Sequence, residues 1–135
     1  MSRPIDMGLG QIKTLLIKMG RLSADSIDLA MKGFLGREDV YVQIRSWSNT
    51  VLILSEEVED RATELMALHQ PMARDLRMLK AYIKIAYDIE RFGRYALDVS
   101  HIMGNLGPWE PLGEDELPLS EATKKVLEVV NLAVR

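Results

Sequence analysis

The feature that most constrains the fold of this chain is a seven-residue repeat of apolar side chains between residues 40 and 68. Its members are Val40, Ile44, Trp47, Val51, Leu54, Val58, Arg61, Leu65 and Leu68. Alternating steps of four and three place these side chains along one stripe of an α-helix, and Arg61 is the only member that is not apolar. A single helix cannot cover such a stripe, so the sequence predicts packing against other helices.

Two neighbouring segments have the same helical period. Residues 6–35 carry one apolar stripe, and residues 71–103 carry two. A helix with two stripes packs against two neighbours, so we expect the third helix to lie centrally. Pro71 follows the second segment and is predicted in the first turn of the third helix. The predicted fold class is all-α, an antiparallel three-helix bundle over residues 1–103.

A different composition follows this bundle. Residues 104–118 contain three glycines, three prolines and four acidic residues, which predicts a linker. Residues 119–135 then place apolar residues at helical spacing after Ser120, which predicts the start of a fourth helix. Because its own chain leaves the apolar side of that helix uncovered, we expect a homodimer in which the helix is exchanged between copies.

Composition excludes several classes of protein. The length of 135 residues suits one domain, and 47% hydrophobic residues suffice for a core. The net charge of -3 gives no basic excess, so a nucleic-acid partner is not expected. The chain has no cysteine, which excludes disulfides and cysteine-bound metal and favours a cytoplasmic location. No apolar run reaches the roughly 20 residues that a membrane-spanning helix needs.

Catalytic motifs are not found in the sequence. The two histidines are His69 and His101, and neither a nucleophile elbow nor a phosphate-binding glycine loop occurs. Asp98 and His101 are one helical turn apart, but a di-iron carboxylate centre needs that motif twice. We therefore predict that the protein is not an enzyme.

Residues 64–100 resemble the PhoU family of phosphate-signalling regulators. The resemblance is carried by Leu65-x-Ala67-Leu68, Gln70-Pro71, Asp75-Leu76-Arg77, Lys84-Ile85, Asp88-Ile89-Glu90-Arg91-Phe92-Gly93 and Ala96. PhoU proteins contain two repeats of a three-helix bundle. The resemblance thus implies that residues 1–103 form a first repeat, that 104–118 link the repeats, and that 119–135 begin the second.

The resemblance also implies a function. It suggests a cytoplasmic regulator of phosphate uptake and phosphate-starvation signalling, which contacts the ATPase or permease of the phosphate ABC transporter. A sensor kinase is a further implied partner, and the membrane would be reached only through these partners. Two alternatives stay open: a metal-binding helical bundle, and an oligomerising helical scaffold without a signalling role.

The motif supplies the candidate residues for partner binding. They are Gln70, Pro71, Asp75, Arg77, Lys84, Asp88, Glu90, Arg91 and Arg94. For Asp75 a structural role is favoured over binding, because a carboxylate is stabilised at the N-terminus of a helix. Lys84, Asp88 and Arg91 are expected to pair with residues one turn away on a solvated surface.

The resemblance implies a metal site at Glu90. At this site, however, the sequence departs from the family pattern. Several PhoU proteins bind metal clusters through acidic pairs four residues apart, but the position four residues after Glu90 is Arg94. We expect Arg94 to pair with Glu90 and to replace the charge of the metal, so no cofactor is predicted. Glu57, Asp60 and Glu90 remain the candidates for a divalent cation or an iron cluster. Arg61 is expected to pair with Glu57 or Glu64.

Overall fold

The computed structural model describes residues 3–36 and 38–106, and beyond them only Lys125, Glu128, Val129 and Leu132. The long segments form three helices, α1 (Pro4–Gly36), α2 (Tyr41–His69) and α3 (Arg74–Leu106), and no strand occurs among the described residues. The all-α prediction is confirmed for this part of the chain. Most of the predicted fourth helix and most of the predicted linker lie outside the described residues.

The helix ends follow from local side-chain chemistry. Pro4 opens α1, where its missing N–H leaves no hydrogen bond unmade. An oxygen of Asp6 accepts the backbone N–H of Arg3 at 2.8 Å. Before α2, an oxygen of Asp39 accepts the N–H of Tyr41 at 3.1 Å. Both carboxylates satisfy donors that a helix start leaves without a backbone partner.

The connection between α2 and α3 corrects one prediction. Pro71 does not lie in the first turn of α3, which begins at Arg74. Gln70 instead ends α2 in the left-handed region, with φ 45° and ψ 55°, and its N–H donates to the carbonyl of Met66 at 3.1 Å. A residue before proline avoids the right-handed helical region, so the chain leaves the helix here. Ala73, with φ 50°, makes the second left-handed step before α3.

The helices run up, down and up. Arg3 contacts Asp75, so α1 and α3 begin at the same end of the bundle. The ring of Tyr41 lies 5.6 Å from that of His101, so the start of α2 lies beside the end of α3. Each helix contacts both of the others, so α3 packs against two neighbours as its two stripes predict, and α1 and α2 do the same. The second stripe of α3 is partly exposed, with Ile85 43% and Phe92 40% exposed.

The core is filled by small and aliphatic side chains. Its main cluster consists of Ile5, Leu9, Ile12, Leu16, Met19, Val51, Leu54, Val58, Ala62, Leu65, Leu79 and Ala86. On α2, Ser48 and Ala62 are buried although neither belongs to the seven-residue repeat. Leu68 does belong to it but is 67% exposed, because it lies beyond Leu65, the last α2 residue of the cluster. Packing against two helices makes the buried strip wider than one stripe.

No helix among the described residues has an apolar run that would cross a membrane.

Candidate functional site

Asp75, a motif residue, is tied to the start of α1. Its carboxylate accepts two hydrogen bonds from the Arg3 guanidinium, at 2.7 and 3.0 Å, and its side chain is only 16% exposed. Arg3 also pairs with Asp6 at 2.9 Å, and this hydrogen bond lowers the pKa of Asp6. The two-point geometry holds α1 and α3 in register, which supports the structural role expected for Asp75.

Arg91 lies between two tyrosines on the outer surface of α3. Its guanidinium is 5.7 Å from the ring centres of both Tyr87 and Tyr95, and it donates a hydrogen bond of 2.7 Å to the Tyr95 hydroxyl. This hydrogen bond raises the pKa of Arg91 above its usual range. Tyr87 and Tyr95 are 58% and 49% exposed. We call these three residues the tyrosine–arginine ladder.

Sequence reasoning selected Arg91 but missed both tyrosines. The signal was present, because Tyr87, Arg91 and Tyr95 are spaced by four residues and therefore share one side of a helix. The ladder holds a cation between two aromatic rings through contacts within α3 alone.

An apolar groove runs beside the ladder, between α1 and α3. It has a volume of about 280 Å³ and is lined by Ile27, Ala30, Met31, Phe92, Tyr95, Ala96 and Val99. Phe92 is 40% exposed. Tyr95 belongs both to this apolar groove and to the ladder, so an apolar surface and a positioned cation adjoin each other.

A second, charged groove lies on the other side of α3, against α2. It has a volume of about 390 Å³ and is lined by Ser55, Glu59, Lys80, Ile83, Lys84, Tyr87 and Glu90. Glu59 lies on the α2 wall of this charged groove, and Lys80 and Lys84 lie on the α3 wall. The structure thus brings Lys84 and Glu90, two predicted site residues, to one groove.

The predicted pair of Glu90 and Arg94 is not formed. Among the described residues the ion pairs join Arg3 with Asp6 and Asp75, Lys32 with Asp28, and Arg61 with Glu57. Glu90 instead lines the charged groove, and Arg94 is exposed. An exposed pair one helical turn apart contributes only about 0.3–0.5 kcal/mol, so the same spacing forms a pair at Asp28 and Lys32 but does not require one at Glu90 and Arg94.

Arg61, the polar member of the apolar repeat, pairs as predicted. Its Nε and Nη2 both donate to Glu57, at 3.1 and 3.0 Å, and its Nη1 donates to the Gln11 side chain of α1 at 2.9 Å. Glu57, a metal candidate, is therefore engaged by a cation. Over residues 3–36 and 38–106, no three carboxylate or histidine side chains are grouped closely enough to hold a metal ion.

The other motif residues are spread along the bundle. Gln70 and Pro71 form the turn at one end, whereas Arg77, Lys84 and Asp88 are exposed along α3. Within the described part of the chain, Lys84 and Asp88 do not form the ion pairs that were expected for them. The motif therefore divides into residues that shape the bundle and residues that face solvent.

Comparison with known proteins gives one consistent result. The family model described as "PhoU domain" matches residues 16–103. A relative from Aquifex aeolicus, named phosphate-specific transport system accessory protein PhoU homolog, is 30% identical over 93% of this chain and 57% of its own length. Relatives with the same name from Deinococcus radiodurans and Xylella fastidiosa are 38% and 30% identical, over 47% and 79% of this chain.

The relatives are longer than this chain. The matches cover 57%, 30% and 45% of those three proteins, so the chain spans about half the length of the curated relatives it matches. None of the solved structures matches the chain.

Proposed function

The chain belongs to the PhoU family, and from this premise we propose that it is an accessory protein of a phosphate-specific transport system. In this role it restrains phosphate uptake and phosphate-starvation signalling by contact with another protein. Its partner is the ATPase or the permease of the phosphate ABC transporter. The proposal places the chain in the cytoplasm, at the membrane only through its partners, and assigns no reaction to it.

The observation that carries a binding role is the apolar groove with the adjoining ladder. Phe92 and Tyr95 keep 40% and 49% of their surface exposed on a helix whose other side is buried. Exposed apolar side chains beside a preorganised arginine are typical of the residues that dominate protein interfaces. We therefore propose that the transporter docks on this side of α1 and α3.

Binding of the purified chain to the transporter ATPase tests this proposal. Phe92→Ala and Arg91→Ala should each weaken binding about tenfold or more, as expected for central interface residues. Ile53→Ala is the matched control, because Ile53 is an exposed apolar residue of α2 outside the groove. Unchanged binding by the Phe92 and Arg91 variants, or equal loss in the control, would contradict docking at this site.

The remaining implied partner and the two alternatives give different results. A sensor kinase that binds the chain while the ATPase and permease do not would replace the transporter as the partner. Metal that copurifies in stoichiometric amount, without chelator, would favour the metal-binding bundle. A chain that binds none of these proteins at high or low phosphate would favour the bare scaffold.

A further inference from the structure

We propose that the segment of the partner that docks in the apolar groove is an amphipathic α-helix, whose apolar side chains enter the groove and whose carboxylate pairs with Arg91. The inference rests on the proposed function and deepens it, because it names the chemistry by which this site would recognise the transporter.

The shape of the apolar groove fits a helix. Its walls are α1 and α3, which begin at the same end of the bundle. The α3 wall extends from Phe92 to Val99, which is two helical turns or about 10 Å. A partner helix repeats its apolar side chains over the same length, at positions i, i+3 or i+4 and i+7. No strand edge occurs in the described part of the chain, so an extended segment would find no backbone partners there.

Arg91 determines the charge that the partner helix should carry. A guanidinium has five N–H donors. Within residues 3–36 and 38–106, this one donates to the Tyr95 hydroxyl and forms no ion pair. The Tyr87 and Tyr95 rings lie beside it, and the Arg91 side chain is exposed, so its remaining donors are accessible. A carboxylate is the side-chain group that accepts two parallel hydrogen bonds from such a fork.

Tyr95 connects the apolar and the charged parts of the site. Its side chain lines the groove and also accepts the hydrogen bond from Arg91. The carboxylate of the partner should therefore lie within one turn of an apolar side chain that contacts Tyr95. A helix that covers the groove also excludes water from this ion pair, and an ion pair strengthens as the surrounding dielectric constant falls.

Asp88 gives a test of the sign of the partner's charge. It is exposed, lies one turn before Arg91 and forms no ion pair within the described residues. A partner carboxylate at Arg91 is repelled by this acid. Asp88→Asn should therefore strengthen binding to the transporter ATPase by roughly two- to fivefold at low salt. Unchanged binding would indicate an uncharged partner segment and weaker binding a basic one, and either result would overturn the inference.

Arg91→Lys separates recognition by the planar fork from recognition by charge alone. Lysine keeps the positive charge but cannot donate two parallel hydrogen bonds to a carboxylate. Binding should therefore fall at least about fivefold. Arg45→Lys is the matched control, because Arg45 is an exposed arginine on α2.

Photocrosslinking identifies the partner segment directly. The chain has no cysteine, so one introduced cysteine takes a photoreactive label at a single known place. Met31→Cys puts the label on the α1 wall of the groove and leaves the ladder intact, and Ile53→Cys is the control on α2. Mass spectrometry should place the crosslink from residue 31 on a helix of the ATPase with apolar residues at the stated spacing and an acidic residue within one turn of them.

Exchange of the two charges then tests the ion pair itself. Arg91→Glu should weaken binding at least about tenfold, and so should lysine in place of the acid identified on the ATPase. The two changes together should restore binding to within about threefold of the unchanged pair.

The outcomes separate this inference from the proposed function. If neither the ATPase nor the permease binds the unchanged chain, both are wrong. If Phe92→Ala weakens binding while Arg91→Lys has no effect, the docking site stands and the acidic helix is wrong. A crosslink to an extended segment, to a helix without a neighbouring acid or to a second copy of the chain would also overturn the inference, as would a charge exchange that restores nothing.

Discussion

Arg3 and Asp75 are separated by 72 positions in the sequence, yet two hydrogen bonds of 2.7 and 3.0 Å join their side chains. The pair fixes the start of α1 to the start of α3 at one end of the bundle. Asp75 belongs to the family motif, and its partner lies outside the segment that carries the motif. The contact that Asp75 makes could therefore not be found from the motif alone.

The carboxylates of Asp6 and Asp75 both pair with Arg3. Because of the Asp6 carboxylate, the free energy of unfolding should depend on pH in the acid range. Arg3 lowers the pKa of Asp6 below its ordinary value of 3.8, so the folded state binds this proton less readily than the unfolded state. The stabilisation is therefore complete above that value and is lost as the pH falls through the lowered pKa. The difference in urea midpoint between the unchanged protein and Asp6→Asn should be constant near neutral pH and vanish in strong acid. A difference that grows on acidification would contradict this.

Gln70→Gly should stabilise the protein, by up to about 1 kcal/mol. Gln70 has φ 45°, a left-handed conformation that costs a residue with a Cβ about 1–2 kcal/mol, part of which the greater freedom of glycine in the unfolded chain offsets. Gln70→Ala is the control, because alanine keeps the Cβ and its strain. Urea unfolding measures both, and a glycine variant less stable than the alanine variant would show that residue 70 is not strained.

Two glycines at helix contacts should respond oppositely to alanine. A Cβ at Gly33 would lie 2.8 Å from Val40 Cγ2 and 3.1 Å from the Glu38 carbonyl oxygen, so Gly33→Ala should destabilise by about 1–3 kcal/mol. A Cβ at Gly93 would lie 3.5 Å from Ser23 Oγ, which is ordinary contact. Gly93→Ala should therefore stabilise by up to about 1 kcal/mol through helix propensity. Thermal and urea unfolding measure both variants, and the same sign for both would refute the argument.

Ser23→Ala should destabilise more than Ser26→Ala, although both serines are fully buried. The Ser23 hydroxyl donates to the carbonyl of Ile89 on α3 at 3.0 Å, whereas Ser26 donates to Leu22 within its own helix. Loss of the bond between helices should cost about 0.5–1.5 kcal/mol. Ser26 bonds to a carbonyl one turn earlier in its own helix, so its loss removes no contact between helices and should cost less. Equal effects in urea unfolding would show that the contact to Ile89 adds nothing.

The three helices could be predicted from the sequence because apolar periodicity is local. The stripe through Val51, Leu54 and Val58 depends only on spacing, and it faces the core as predicted. The pair of Arg61 and Glu57 could be predicted for the same reason, since one helical turn joins them. The family could also be predicted, because its motif is a contiguous stretch of the chain.

Other features depended on contacts between helices, which spacing does not encode. Periodicity gives the direction of a side chain around its own helix, but not how far the neighbouring helices extend over it. For this reason Ser48 is buried while Leu68 is exposed. Glu90 lines the charged groove and is not paired with Arg94, although the same spacing pairs Glu57 with Arg61, so spacing alone does not decide which weak surface pairs form.

The helices, their order and the family can be predicted from the sequence, since all three follow from residues near one another in the chain. Which motif residues contact another helix and which remain accessible depends on how the helices pack. The carboxylate of Asp75 pairs with Arg3 of α1, whereas Arg91 lies at the surface between Tyr87 and Tyr95. The physical reason is that burial and pairing depend on the distance between segments, and packing of the helices against one another sets that distance.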